Sequence, residues 1–192
     1  MAKIRGILLA AGYSRRFGSN KLLQALPAGS PQAGVPIALA SARHLLEILP
    51  DSIAVVRPRA QKLAALLRDA GCNTVVCKNA AEGMGTSLAA GVRAAADADG
   101  WVVALADMPF IRGDTIRAVV GALESGSVIV APAYRGQRGH PVGFGRSVLE
   151  ELSALAGDHG ARELLSRHAD ALVLRETDDP GVLRDIDRPS DL

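Results

Sequence analysis

A basic, glycine-containing loop follows the first apolar segment of the chain, and its residue types suit phosphate binding. After the segment Ile4–Ala10 the loop contains two glycines and three cationic residues: Gly12, Gly18, Arg15, Arg16 and Lys21. Small residues let backbone N–H groups approach a ligand closely, and N–H groups together with cations bind phosphate oxygens. Because the loop comes directly after a predicted buried strand, we expect it to hold a triphosphate.

Two common phosphate-binding motifs do not match this loop. A Walker loop needs four residues between its first glycine and a Gly-Lys-Ser/Thr sequence. Here five residues separate Gly12 from Gly18, and neither Ser nor Thr follows Lys21. The fingerprint Gly-x-Gly-x-x-Gly of dinucleotide-binding proteins is absent as well. The alternative to a triphosphate loop is a surface turn that happens to be basic, since glycine turns after strands are common.

Carboxylates that suit a metal ion occur in two parts of the sequence. Asp107 ends the apolar run 101–106, and open parallel sheets bind ligands outside the carboxyl ends of their strands. Asp185 and Asp187 share one face if the C-terminal segment is extended. One or two carboxylates together with substrate phosphates bind Mg²⁺, so we expect Asp107 and Asp187 to bind it. The alternatives are a turn cap at Asp107 and a helix cap in the Pro-Ser-Asp sequence near the C-terminus.

Two further turns contain groups that suit substrate binding. Gly85 and Ser87 open a predicted helix, where N–H groups and hydroxyls could contact a base or ribose. Alternatively, Thr86 or Ser87 only caps the helix. His140 follows Arg138 in a glycine-rich turn and is a candidate for gripping an anionic acceptor. Alternatively, His140 is a loop histidine that only makes a structural hydrogen bond.

Strands and helices alternate along the first 132 residues. Apolar runs predict strands over 4–10, 52–57, 73–77, 101–106 and 127–132, and amphipathic segments predict helices over 36–49, 60–70, 85–98 and 113–124. This alternation predicts an α/β fold with a doubly wound, mostly parallel sheet and helices on both faces. Later segments predict a loop over 134–139, a short antiparallel strand over 141–144, helices over 147–155 and 161–168, and strands over 171–174 and 182–186.

Composition excludes several classes of protein. The 192 residues suggest one domain, and 48% hydrophobic but only 3% aromatic residues predict an aliphatic core. A net charge of +2 and few aromatic rings argue against a nucleic-acid partner. From the lengths of its apolar runs we expect neither a membrane span nor a signal peptide. Cys72 and Cys77 are predicted on opposite faces as unpaired thiols, which suits a cytoplasmic location.

The order of these motifs resembles the MobA-like nucleotidyltransferase superfamily, and most closely its molybdenum cofactor cytidylyltransferase branch. The matching segments span nearly the whole chain: 9–16 with Lys21, 83–91, 106–109, 139–142, 157–162 and 185–189. The resemblance implies a Rossmann-like nucleotidyltransferase fold in one domain over 1–192. Within it, residues 1–132 would bind the nucleotide and residues 133–192 the acceptor.

The resemblance also implies roles for individual residues. Those implied to bind substrates are Leu9, Ala10, Ala11, Gly12, Ser14, Arg15, Arg16, Lys21, Gly85, Ser87 and His140. Catalytic roles are implied for Arg16, Lys21 and Asp107, and Mg²⁺ would be bound by Asp107 and Asp187. The implied reaction transfers CMP from CTP to the terminal phosphate of molybdopterin or its molybdenum cofactor, with release of pyrophosphate.

Two alternatives to that function stay open at this point. The guanylyltransferase branch usually has Ala-Gly-Gly where this chain has Ala10, Ala11 and Gly12, so the double alanine favours CTP over GTP. The second alternative is a non-catalytic module that binds a nucleotide or delivers the cofactor to an apo-molybdoenzyme. Retention of both Lys21 and Asp107 argues against it, because a delivery module needs no metal-binding carboxylate for chemistry.

Overall fold

Eight strands form one sheet in the part of the chain that the structure describes, which is residues 2–14, 17, 20–158 and 161–192 of a computed structural model. The strands are β1 (Ile4–Ala10), β2 (Ile53–Val56), β3 (Asn73–Val76), β4 (Gly100–Leu105), β5 (Ile129–Tyr134), β6 (Gln137–Arg138), β7 (Val142–Gly145) and β8 (Leu172–Glu176). The α-helices are α1 (Ile37–Ile48), α2 (Gln61–Asp69), α3 (Met84–Ala94), α4 (Gly113–Glu124), α5 (Leu149–Ser153) and α6 (Arg162–Arg167).

The sheet is mostly parallel, as predicted. Its strand order is β3-β2-β1-β4-β7-β5-β6, and β8 also pairs with β5. Strand β1 lies between β2 and β4 and is parallel to both, and β8 is parallel to β5. Strand β7 is antiparallel to its neighbours β4 and β5, as is β6 to β5. The antiparallel strand predicted over 141–144 is therefore confirmed, and it lies inside the sheet.

Helices cover both faces of the sheet and bury two separate cores. On one face α1, α2 and α4 contribute Leu45, Leu67 and Val119. On the other face α3, α5 and α6 contribute Leu88, Leu152 and Leu164. All four residues of β2 are buried because both of its faces are covered, which explains its continuous apolar sequence. This arrangement confirms the predicted doubly wound α/β architecture.

Most predicted elements are present, but two predictions after residue 132 are wrong. Residues 182–186 do not form a strand: Pro180–Leu183 is a 3₁₀ turn, and Val182 and Ile186 are fully buried anchors of the tail. Apolar residues that fix a tail to a core thus resemble a short strand in sequence. The loop predicted over 134–139 contains β6, because Arg135 and Gly136 both have positive φ and form a two-residue hairpin turn.

The two cysteines lie on opposite faces of the sheet, as predicted. Cys72 belongs to the core beneath α2, whereas Cys77 belongs to the core beneath α3, and neither is in a disulfide. Burial raises the pKa of the Cys72 thiol to about 11. Among the described residues, no helix has both the length and the apolar character that a membrane-spanning segment needs.

Candidate active site

A cavity opens where the strand order reverses, between the carboxyl ends of β1 and β4. Strands β2 and β3 extend the sheet on the β1 side, while β7 and β5 extend it on the β4 side. The Ala106 N–H donates to the Leu9 carbonyl at 3.1 Å, so the segments that leave β1 and β4 begin side by side. Open α/β sheets bind ligands at this switch point. The cavity has a volume of about 410 Å³.

Lys21 joins the two parts of the chain that were expected to bind phosphate and metal. Its Nζ lies 2.8 Å from Asp107 Oδ2 and 2.9 Å from Asp187 Oδ1. Lys21 begins a 3₁₀ turn whose next residue, Leu22, is buried in the core. The Ile186 N–H donates to the Asp107 carbonyl at 2.9 Å and brings the C-terminal segment beside the end of β4. The basic loop and the two distant acidic segments therefore meet at one point.

The Lys21 ammonium is buried yet charged. Its residue is 8% exposed, and this burial by itself disfavours the protonated form. Hydrogen bonds and opposite charges from Asp107 and Asp187 outweigh the burial, so the pKa of Lys21 lies above its ordinary value. A cation fixed at this position can stabilise negative charge on phosphate oxygens.

Three carboxylates at the same edge of the sheet form a donor set that suits a hard divalent cation. One oxygen each of Asp107, Asp185 and Asp187 lie within 4.8 Å of one another. Mg²⁺ takes oxygen ligands in small octahedral sites and usually keeps waters or substrate phosphates in its shell. The residues present therefore fit Mg²⁺, and Asp185 is an additional ligand candidate beside the two predicted ones.

The loop after β1 offers neutral donors to the cavity. Ser14 lines it and has a φ of 51°, which is unusual for a residue other than glycine. Its hydroxyl is buried and makes no hydrogen bond to another described residue. Directly after β2, the Arg57 guanidinium donates to the Gly12 carbonyl and lies 5.1 Å from the centre of the Tyr13 ring. Arg57 thus holds the loop from outside the cavity.

Glycines at the start of α3 permit close backbone packing. The Gly85 N–H donates to the Gly157 carbonyl at 2.8 Å, and the Thr86 hydroxyl accepts from the Gly157 N–H at 3.2 Å. A Cβ on Gly83 would lie 2.3 Å from the Gly157 carbonyl carbon, and Gly83 also has a φ of +133°. The residue before α3 is Gly83, so the suggestion that Thr86 or Ser87 caps this helix is wrong.

The structure brings most of the predicted site residues together. Those that line the cavity are Leu9, Ala11, Gly12, Ser14, Lys21, Ser87, Asp107 and Asp187. Ala10 is outside it, since its side chain is buried in the core of the opposite face. Gly85 is also outside the lining and packs against the backbone of the 156–157 turn. Arg15 and Arg16 lie outside the described residues.

His140 is not part of the cavity lining. Its backbone N–H donates to the Val182 carbonyl at 3.0 Å, which ties the turn before β7 to the C-terminal segment. Burial and the nearby charge of Arg138 lower the pKa of His140 to about 4, although Asp185 opposes this shift. Its Nδ1 is buried and has no hydrogen-bond partner among the described residues. His140 is therefore neutral at pH 7.

Sequence reasoning gave several residues at this site no role of their own, among them Asp158, Met84 and Arg57. Asp158 and Met84 line the cavity next to the glycine turn, and Arg57 supports the loop. The motif around Asp158 was assigned to the acceptor as a whole, while nothing in the sequence near Arg57 indicates that it reaches Gly12. These contacts depend on how strands and loops are arranged in space and not on local spacing.

At the switch point of the sheet, a lysine meets several carboxylates, and this arrangement suits the transfer of a nucleotidyl group. The chain is a nucleotidyltransferase with a Rossmann-like fold. The family model for the MobA-like NTP transferase domain matches residues 6–172. The chain belongs to this family, and the resemblance inferred from its motifs is confirmed.

Relatives cover nearly the whole chain. It is 36% identical to the purine catabolism protein PucB of Bacillus subtilis, over 97% of this chain and 92% of PucB. The nucleotidyl transferase Mth528 of Methanothermobacter superposes with a TM-score of 0.80 at 26% identity, covering 98% of this chain and 94% of Mth528. Rv0371c of Mycobacterium tuberculosis, in a complex with manganese, superposes with a TM-score of 0.73 at 27% identity, covering 98% and 95%.

Proposed function

We propose that the protein transfers CMP from CTP to the terminal phosphate of molybdopterin or its molybdenum cofactor and releases pyrophosphate. The observation that carries this proposal is the contact of Lys21 with Asp107 and Asp187 at the cavity mouth. It brings a phosphate-binding cation and metal-binding carboxylates to one place, as nucleotidyl transfer from a magnesium-bound triphosphate requires. The acceptor would approach from residues 133–192, which include Asp185.

The chain's own groups account for the transfer step. An oxygen of the acceptor phosphate bonds to the α-phosphorus of the nucleotide, and the bond to the pyrophosphate oxygen breaks in line with it. A phosphate monoester loses its second proton with a pKa of about 6, so the step needs no strong general base. Lys21, Ser14 and the backbone of the loop from Gly12 would hold the β- and γ-phosphates. In this role Lys21 stabilises the charge that develops on the leaving group.

Asp107 and Asp187 would bind Mg²⁺, with Asp185 in reach as a third carboxylate. When bound, the ion supplies charge neutralisation at the phosphate oxygens. The manganese complex of Rv0371c supports a divalent ion in a related protein. On the basis of the sequence motif, Arg16 is proposed to act in catalysis. On the same basis, Arg15 is proposed to bind the nucleotide.

The choice of CTP depends on the loop sequence. The chain has Ala11 where the guanylyltransferase branch usually has glycine, and Ala11 lines the cavity. A methyl group at this position narrows the cavity, which supports the smaller pyrimidine base over guanine. GTP is therefore the alternative substrate, and the test below includes it.

The test offers the protein each of the four ribonucleoside triphosphates with Mg²⁺ and molybdenum-loaded molybdopterin. We expect pyrophosphate release with CTP and a cytosine dinucleotide product detected by mass spectrometry. A guanine dinucleotide would instead assign the guanylyltransferase reaction. Parallel reactions replace molybdopterin with a sugar phosphate or methylerythritol phosphate, and activity only in these would assign a different acceptor. Nucleotide binding without release of pyrophosphate from the nucleotide, whichever acceptor is offered, would favour a delivery module and contradict the proposal.

A further inference from the structure

Lys21 occupies the place between two carboxylates that a bridging cation would take. Its ammonium contacts one oxygen of Asp107 at 2.8 Å and one of Asp187 at 2.9 Å, and its side chain is 10% exposed. The same two residues, together with Asp185, form the acidic cluster whose oxygens lie within 4.8 Å of one another. The chain itself therefore already supplies this acidic cluster with a cation, the Lys21 ammonium.

We propose that Lys21 is an internal counter-ion of this cluster, so that the site takes up its divalent cation as a chelate with the triphosphate and not as the free ion. This inference rests on the proposed function, because it takes Asp107 and Asp187 as the metal-binding residues. It adds that the triphosphate enters the site as its metal chelate.

The positive charge of Lys21 opposes the binding of a free divalent cation at this cluster. A divalent ion bound to the same oxygens would lie within a few ångströms of the Lys21 ammonium, in a partly buried place where water screens like charges poorly. The ammonium and the ion also compete for the same carboxylate lone pairs. A free metal ion that takes these lone pairs displaces Lys21 from both of its partners, which leaves a desolvated ammonium without compensation.

A triphosphate in the cavity can release Lys21 from the carboxylates. Its flexible four-carbon side chain can turn from the carboxylates toward the cavity, which it also lines together with Gly12 and Ser14. A triphosphate in that cavity supplies new anionic partners for the ammonium, whereas the metal replaces the ammonium on the carboxylates. Each ligand therefore lowers the cost of binding the other, which is positive coupling between the two.

The test compares wild type with Lys21→Met, which keeps an unbranched side chain only one atom shorter and removes the charge. The first measurement is the Kd for free Mn²⁺, from the electron paramagnetic resonance signal of unbound Mn²⁺. The second is the Kd for a preformed Mn²⁺–tripolyphosphate chelate, from calorimetry. We expect Lys21→Met to bind free Mn²⁺ about 10-fold or more tightly than wild type and to bind the chelate more weakly, within the usual range of allosteric couplings.

Two further variants serve as controls. Lys62→Met removes the same charge from the exposed surface of α2 and should match wild type in both measurements. Lys21→Arg keeps a positive charge and should still bind free Mn²⁺ weakly. Should Lys21→Met be unstable, the rise of its Tm with Mn²⁺ gives a second readout, and we expect a larger rise than in wild type.

Equal or weaker binding of free Mn²⁺ by Lys21→Met would overturn the inference and leave the proposed function standing. Equal gains in Lys21→Arg and Lys21→Met would overturn it too, because charge would not be the cause. If wild type binds neither free Mn²⁺ nor the chelate, the proposed metal-dependent function itself fails.

Discussion

Lys21 and Asp107 lie 86 positions apart in the sequence, yet the Nζ of one is 2.8 Å from the Oδ2 of the other. Their contact follows from the pairing of β1 with β4, since Asp107 lies just beyond the end of β4 and Lys21 ends the loop that leaves β1. The third member, Asp187, reaches the same point because Ile186 is buried and hydrogen-bonded to Asp107. Three separate segments therefore have to be correctly folded before the site exists.

Removal of either charge at this contact should abolish most of the activity. We expect Lys21→Ala and Asp107→Ala each to lower kcat on the order of 10²–10³, because each removes a group that stabilises charge in the transition state. Pyrophosphate release under saturating substrate measures the effect, with circular dichroism as the test of folding. Lys62→Ala, on the exposed surface of α2, should leave turnover unchanged. Near-normal turnover of either site variant would contradict the role given to that residue.

The two C-terminal carboxylates should differ in their effect on the Mg²⁺ requirement. Asp187 contacts Lys21 and lines the cavity, whereas Asp185 is exposed and lines a second, more open groove. We expect Asp187→Asn to raise the Mg²⁺ concentration at half-maximal activity roughly 10-fold or more, and Asp185→Asn to raise it less. Titration of activity with Mg²⁺ at fixed nucleotide distinguishes them. A larger effect of Asp185→Asn would show that the principal ligand was assigned to the wrong residue.

Gly85 should not tolerate a side chain. A Cβ there would lie 2.9 Å from the Ala156 carbonyl oxygen, so Gly85→Ala should reduce the free energy of unfolding by about 1–3 kcal/mol. The matched control is Gly121→Ala within α4, where a Cβ meets nothing within 4 Å. That substitution should stabilise the protein by about 0.5–1 kcal/mol, because alanine is the better helix residue. Urea denaturation measures both, and the two changes should have opposite signs.

The buried carboxylate of Asp179 should be important for stability. It accepts hydrogen bonds from the Arg112 N–H, the Thr115 hydroxyl and the Gly181 N–H, at 2.8–2.9 Å. Asp179→Ala leaves these donors buried without an acceptor and should cost about 2–4 kcal/mol. The neighbouring Asp178, whose side chain is 90% exposed, is the control, and Asp178→Ala should cost less than about 1 kcal/mol. Similar losses in both variants would contradict the assignment.

His140 should make the protein less stable in mild acid. Its pKa is about 4 in the folded state, against about 6.5 in an unfolded chain, so the unfolded state binds the proton first as the pH falls. The free energy of unfolding therefore decreases from pH 6.5 down to pH 4, by up to about 3 kcal/mol. His140→Gln should remove this part of the pH dependence. Urea denaturation at several pH values measures it, and identical profiles would show that His140 does not titrate as described.

Local patterns in the sequence were sufficient to predict the helices and the parallel strands. Helix α4 spans the predicted 113–124, and α1 is one residue shorter than predicted at each end. These segments are amphipathic or continuously apolar, and tertiary contacts do not override their local preference for helix or strand. The late strand over 182–186 failed because Val182 and Ile186 are buried as isolated anchors, a pattern that spacing cannot distinguish from a strand.

The site was predictable in its residue types but not in its contacts. Catalytic roles were predicted for both Lys21 and Asp107, which implies that the two residues lie close together. That Lys21 also pairs with Asp187 depends on the path of the C-terminal tail, which is set by the hydrogen bond from Ile186 to Asp107. The different positions of Ala10 and Ala11 follow from the alternation of faces along β1, and only the three-dimensional sheet shows which face bears the cavity.

The position of β7 has a consequence for how the protein is made. This strand follows β5 in the chain but lies between β4 and β5, and in the described sheet it is what connects them. A nascent chain that has left the ribosome only as far as Tyr134 can pair β1 through β4, but its β5 has no route into the sheet. The chain up to Gly145 must therefore be present before β5 can take its native place in the sheet.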